Sequence, residues 1–482
     1  MILTCYRFFF LFFDRNMNSK SMGRFNVKEV YEEQSAINGG YDSISLLPDC
    51  ILDHILSYLP TKEAVATSVL SKRWKYLWTF VPILDFDDSL LYSSQFEFRH
   101  SINVTCFMNF VDKVLLQRDK SNVKRFRLSC RVCFSASRVN EWILSAVKQN
   151  VQELDLCLFV EEPFVLPACV FDNEILTVIK LEMNCNLHLP PRISIPSLKT
   201  LHLRLVTFPN DNNTVQSLFS SCPFLEELAV LDCEWMNLKR ISITIPSLKI
   251  LIIDDLPFCS VDDLRGCEIS IDAGNLIFFK YSGYLSNKIN IYGHSSSALA
   301  LINIPTLSGR RREIGHRTVK LFGGLVNVSS LRISSGTIEA LFHAEDMMDN
   351  LPNFENLTFL ELRGEFRKHS IKLLIKLLRR MLKLEFLHFC EGLGQCEDDS
   401  GMQLLPDCAL SSLKTVDYTN FCGTNTEIWF LRFLLKNAVV LEKMNVYWSK
   451  NSSKDQMNQW KIKEQLHALP KGSLHCALLI TT

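Results

Sequence analysis

The sequence predicts an α/β protein: a small helical module, then an irregular solenoid of short parallel strands, closed by a C-terminal cap. Three observations carry the prediction. Helix start and stop signals crowd into residues 41–88, one apolar pattern recurs from position 126 to position 444, and the final stretch alternates strand and helix signals. At 482 residues the chain exceeds one ordinary domain unless it is a repeat array, and 47% hydrophobic residues can fill a large core.

Residues 1–40 are expected to be a disordered tail. Ile2 to Phe13 is apolar except for Thr4 and Arg7, but no basic segment precedes it and no small-residue cleavage site follows. It is also shorter than the about 20 apolar residues that a bilayer span needs. Met17 and Met22 are alternative starts, so an over-extended reading frame that adds residues 1–16 or 1–21 is a second account of this stretch.

Residues 41–88 read as three short helices. Pro48 suits a first helical position, and Ile51, Leu52, Ile55, Leu56 and Leu59 form one apolar stripe behind it. Pro60 ends that helix, and Thr61 can cap the next, with Glu63 in its first turn. Ser71 can cap a third that carries Trp74, Leu77 and Trp78 at i, i+3 and i+4. A segment this short cannot bury so many apolar groups within itself, so some should face a partner.

The details of this segment resemble the F-box, in its plant version: Leu47-Pro48-Asp49, Leu59-Pro60-Thr61-Lys62, Ser68-Val69-Leu70-Ser71-Lys72-Arg73-Trp74 and Leu77-Trp78. The resemblance implies docking on a Skp-family adaptor and, through it, on a cullin ubiquitin ligase. Leu47, Pro48, Ile51, Leu52, Ile55, Leu56, Leu59, Val69, Trp74, Leu77 and Trp78 are then the residues expected to form or support the adaptor-binding surface.

Over residues 120–405 and beyond, the pattern apolar-x-x-apolar-x-apolar repeats thirteen times, from Val123/Phe126/Leu128 to Leu441/Met444/Val446. The mean spacing of about 26 residues falls in the 20–29 range of leucine-rich repeats. A lone six-residue strand cannot bury its apolar side, but a stack of them makes a continuous core. Asn or Cys is found at the usual turn position only as Asn184 and Cys233, whereas Phe159, Val206, Gly336, Glu365 and Gly392 occupy it elsewhere, so the solenoid is expected to be irregular. The residue between the second and third apolar positions should point to the concave face, a row that includes Arg127, Asp155, His202, Ala229, Asn303 and Asn445. Arg332, Glu361, His388 and Asp417, on late repeats, are the candidate target-binding residues. His202 and His388 are expected to be exposed.

Residues 406–480 carry a second signature. Ser412-Leu413-Lys414-Thr415-Val416, Asn420-Phe421-Cys422-Gly423, Glu427, Phe433 to Ala438, Leu441-Glu442-Lys443-Met444 and the closing Leu469-Pro470-Lys471-Gly472-Ser473 with Cys476 resemble the FBD domain. It should read strand, amphipathic helix, strand, helix, strand, and cover the end of the solenoid. Together the three segments resemble the plant F-box/LRR/FBD family.

Composition narrows the function. Fifty-two basic residues balance fifty-two acidic ones, which argues against nucleic acid as the main partner. Arg310-Arg311-Arg312 is the one dense basic spot and reads as a solvated loop. Seventeen cysteines scatter through apolar strand contexts such as Cys157, Cys185, Cys233 and Cys390, as reduced thiols of a nuclear or cytoplasmic protein do. Cys130 and Cys133 form one CxxC with no second pair at zinc-finger spacing, so no metal is expected there. Neither a phosphate loop, nor a nucleophile elbow, nor HExxH is present. The expectation is a non-enzymatic adaptor without cofactor or membrane partner: the substrate receptor of a Skp–cullin–F-box ligase. Two alternatives are an interaction module that binds the adaptor without delivering a target, and a small-molecule receptor with a pocket in the repeats.

Overall fold

A computed structural model describes residues 47–88, 100–119, 121–131, 135–159, 164–235, 238–255, 266–293, 298–305, 311–366, 368–393, 410–450 and 456–481. The tail expected over residues 1–40 lies outside them. The chain divides into two compact units, Met1–Glu161 and Glu162–Thr482.

The first unit opens with helix α1 (Asp49–Leu56) and helix α2 (Thr61–Ala66), followed by 3₁₀ turns at Thr67–Val69 and Leu77–Phe80. The third helix expected after Ser71 is not an α-helix: tight turns run from Lys72 to Tyr76 and lead into the second 3₁₀ turn. The tighter winding brings i and i+3 onto one side, so Trp74 and Leu77 both reach the core. Thr61 is likewise not a cap. Pro60 occupies that position without a side-chain bond, and the Thr61 Oγ1 accepts from the Asp85 N–H at 2.7 Å.

That bond joins the helical module to a strand inside the same 41–88 segment, β1 (Ile83–Asp87). After α3 (His100–Gln117), β1 pairs in parallel with β2 (Arg125–Cys130), and β2 pairs with β3 (Glu153–Leu158) after α4 (Ala136–Lys148). The strand ladder therefore begins well before residue 120. Arg118, only 6% exposed, fastens the junction. Its guanidinium donates to the carbonyls of Val81 (3.0 Å) and Ser121 (2.8 Å) and to the Gln149 Oε1 (2.6 Å).

In the second unit one parallel sheet runs through β4 (Val178–Met183), β5 (Thr200–Arg204), β6 (Glu227–Leu231), β8 (Ile250–Asp255), β10 (Phe278–Gly283), β12 (Leu299–Asn303), β13 (Ser330–Ser334), β14 (Phe359–Arg363), β15 (Phe386–Phe389), β16 (Thr415–Phe421), β17 (Lys443–Trp448) and β18 (Ala477–Thr481). A second layer backs it: α5 (Asn212–Ser220), β7 (Arg240–Thr244), β9 (Glu268–Asp272), β11 (Lys288–Tyr292), α6 (Arg311–Gly323), α7 (Ser335–Phe342), α8 (Lys368–Leu378), α9 (Asn425–Asn437) and α10 (Gln456–His467). Strands β7, β9 and β11 form a small parallel sheet of their own, which the repeat pattern did not foretell. Arg311 and Arg312 open α6 rather than a loop, and Arg312 pairs with Asp346 at 2.8 Å; Arg310 lies outside the described residues.

Residues alternate along these strands between buried and half-buried, as period two demands. One repeat departs from the expected register. Leu301, not Asn303, stands in register with Lys280 and Arg332. Ala300 and Ile302 point inward and Leu301 and Asn303 both face the open side, so the face is the expected one and the alignment is offset by two residues within an unbroken apolar run. Where the usual turn asparagine is missing, backbone conformation substitutes for it. Leu205, Asp232, Gly283, Gly364 and Asn420 all have positive φ, each two residues past the last inward-facing strand residue.

The C-terminal segment has the expected order β16, α9, β17, α10, β18 and continues the same sheet. Glu427 anchors it. This fully buried carboxylate accepts from the N–H groups of Cys422 (3.1 Å) and Thr424 (2.9 Å) and from the Tyr418 hydroxyl (3.1 Å), while Thr424 Oγ1 completes a capping box. Burial raises the Glu427 pKa. Tyr418 in turn accepts from the Leu393 N–H at 2.9 Å, tying the turn after β15 into the network. Glu427→Ala strips several buried donors of their acceptor and should cost about 3 kcal/mol or more, read as a lowered denaturation midpoint; Glu427→Gln, which keeps an acceptor oxygen, should lose less.

Candidate functional site

Two surfaces emerge, one in each unit. The first is the helical module, which divides the expected adaptor-binding residues in two. Leu52 and Leu56 are fully buried, and Trp74, Leu77 and Trp78 are buried with them. These five form the core of the module and shape its surface from beneath. Pro48, Ile51, Ile55 and Val69 are exposed, and Leu47 and Leu59 are half-buried. Ile51 and Ile55 lie one turn apart on α1, 44% and 40% exposed, and Tyr58 follows on the same face. Leu70, Tyr76 and Phe80 are further exposed apolar groups that the stripe analysis did not select. Arg73 holds the start of α1 against the later turns, through Asp49 at 2.5 Å and the Leu47 carbonyl at 2.5 Å.

In the first unit, the open face of the strands is occupied by internal pairing: Arg127 reaches Asp85 at 2.8 Å and Asp87 at 3.0 Å, both on β1. The second unit carries the four target-binding candidates. Arg332, Glu361, His388 and Asp417 stand side by side in consecutive strands, and Asn445 follows. Their environments differ. Glu361 is only 6% exposed, so it is an organiser of this face rather than a contact on it. Its Oε1 lies 2.5 Å from the Arg363 Nε, and its Oε2 lies 3.4 Å from the Arg332 Nε and 3.9 Å from the His388 Nδ1. Asp417 accepts from the Asn445 amide at 2.6 Å. His388 and His202 are half-buried, not exposed; His202 meets Glu227 at 2.8 Å. Ala229, on the same row, is buried.

Two residues of this face were not singled out from the sequence. Phe359 and Phe386, paired across β14 and β15, stack at 5.1 Å and 7° and are half-buried beside Glu361 and His388. They precede the predicted row by two positions, and period two would have placed them on the same face. Of the two CxxC cysteines, Cys130 is buried and Cys133 lies outside the described residues. Burial pushes the thiols of Cys222 and Cys233 up to about 12, as expected of inert core cysteines. Among the described residues no helix is long and apolar enough to cross a membrane.

The geometry defines a class: an F-box module joined to a leucine-rich-repeat ladder. Family comparison agrees. The F-box domain model matches residues 44–86, and the At1g61320/AtMIF1 LRR domain model matches residues 114–471. F-box/LRR-repeat protein At4g14096 of Arabidopsis thaliana is 30% identical over 87% of this chain and 90% of its own length. F-box/LRR-repeat protein At2g42730 of the same plant is also 30% identical, over 91% of this chain and 98% of its own. An F-box/FBD/LRR-repeat protein, At3g59240, is 28% identical over 87% and 86%. The chain belongs to the plant F-box/LRR family. Its repeat match runs through most of residues 406–480, in keeping with the continuous sheet there.

The burial split makes a stability prediction. Leu56→Ala opens a cavity and should cost about 2–5 kcal/mol, whereas Ile51→Ala or Ile55→Ala should change stability by no more than about 0.5 kcal/mol, all measured by chemical denaturation.

Proposed function

We propose that this protein is the substrate-receptor subunit of a Skp–cullin–F-box ubiquitin ligase. The exposed face of α1, with Pro48, Ile51 and Ile55, and the Val69 turn would hold a Skp-family adaptor. The open face around β13 to β16 would recruit a target protein. The observation that carries this reading is the division of labour inside the F-box module: five large apolar side chains satisfy its core, yet Ile51, Ile55 and Val69 remain in solvent. Apolar side chains held out on a firm base are what a docking surface requires. The row from Arg332 to Asn445 mixes charge signs and adjoins a stacked phenylalanine pair, which suits a protein partner better than a polyanion. The subunit's contribution to ubiquitination is then proximity, not chemistry, in the nucleus or the cytoplasm.

Replacing Ile51 and Ile55 together by Asp should reduce co-purification of the adaptor at least tenfold while the repeats keep their melting transition; undiminished adaptor recovery would rule this face out. Arg332→Ala combined with Asp417→Ala should remove proteins captured in the presence of a proteasome inhibitor without loss of adaptor. An unchanged set of captured proteins would move target binding away from this row.

A further inference from the structure

We propose that Glu361, His388 and Cys390 form a binding site for a zinc-like divalent cation on the open face of β14 and β15. Their ligand atoms all lie within 4.8 Å of one another. The His388 Nδ1 is 3.9 Å from the Glu361 Oε2 and 3.9 Å from the Cys390 Sγ. With metal–sulfur bonds of about 2.3 Å and metal–nitrogen or metal–oxygen bonds of about 2.0–2.1 Å, tetrahedral donors lie roughly 3.4–3.6 Å apart. The two His388 separations exceed this by a few tenths of an ångström, and none in the triad is above 4.8 Å.

The donors are held by the fold. Glu361 and His388 are register partners in adjacent strands, and Cys390 follows His388 by two residues on the same side. The Cys390 backbone is pinned at both ends: its N–H donates to the Leu362 carbonyl at 2.9 Å, and its carbonyl accepts from the Thr419 hydroxyl at 2.6 Å and the Asn420 amide at 2.8 Å. A carboxylate, an imidazole and a thiol form a donor set that zinc prefers to calcium or magnesium.

Two cations flank the carboxylate. Arg363 binds Oε1, which leaves Oε2 for the metal and orients it as an outer-shell partner does. Arg332, 35% exposed, meets Oε2 at 3.4 Å and is the group that must swing aside. A dication held by one carboxylate and one thiolate, with the Cys390 proton released on binding, forms a neutral cluster, so binding adds one positive charge beside the arginines rather than two. His388 and Cys390 are half-buried, which leaves the fourth position to water or to a side chain of a docked partner. No sequence motif marks the site, because Glu361 sits one repeat away from the other two donors.

Cobalt titration of the full chain under a non-thiol reductant tests the proposal. The wild type should develop a thiolate-to-cobalt charge-transfer band that zinc abolishes. Cys390→Ser should lose the band, and His388→Gln and Glu361→Gln should weaken cobalt binding at least tenfold, with circular dichroism confirming the fold of each variant. Because Glu361 is buried and its variant could unfold, His388→Gln is the deciding arm. Absence of a band with cobalt in large excess would overturn the proposal. So would an undiminished band in Cys390→Ser, which would place the thiolate on another cysteine, or wild-type affinity in folded His388→Gln.

Discussion

A strand in a parallel ladder satisfies its backbone only through its neighbours, and in this protein that requirement holds each repeat in register with the next. Pairing in the second unit runs from Val178 to Thr481 with one register shift, between Tyr418 and Phe421. A one-residue slip anywhere would turn a buried leucine outward and a half-buried charge inward. The apolar face therefore enforces the order of the polar one: Arg332, Glu361, His388 and Asp417 are aligned because Leu331, Leu360, Leu387 and Val416 are buried behind them.

Where each repeat ends, the same ladder needs the chain to turn. Asparagine is scarce at those positions, and the turn is made through left-handed backbone instead. Leu205 adopts φ 58°, a conformation that costs an ordinary L-residue about 1–2 kcal/mol. Deeper in the second unit, tyrosine–carboxylate pairs do comparable work. Tyr281 accepts from the Leu285 N–H at 2.6 Å while Asp255 accepts from Ser286 at 3.1 Å, a counterpart of the Tyr418–Glu427 arrangement. Side chains far apart in sequence thus take over from a regular turn motif.

How much of this was legible depended on the range of the signal. Period two is local, so all thirteen predicted strands had the correct face; the one departure, at Leu299 to Ile302, is an offset of two residues along the ladder in a run that is apolar at every position. Helix-terminal signals near Pro48 and Pro60 located α1 and α2. What escaped was set by distant partners. Thr61 looked like a cap and serves β1 instead, since Asp85 lies beyond any local pattern. The stripe of α1 could not separate Ile51 from Leu52, because adjacent residues on a helix both belong to a broad apolar face until a core claims one of them. Glu361 read as a surface charge, and only the arginines on neighbouring positions show why it is buried.

The small sheet of β7, β9 and β11 has a geometric consequence. Helices packed side by side are about 8–10 Å apart, whereas strands are spaced by 4.7–4.9 Å. Repeats backed by helices need a wider step in the backing layer than in the strand layer. Between β6 and β12 the backing is itself a ladder, so both layers advance by equal steps. From Glu227 to Asn303 the two layers are therefore matched in spacing, unlike the helix-backed repeats that carry Arg332 and its neighbours.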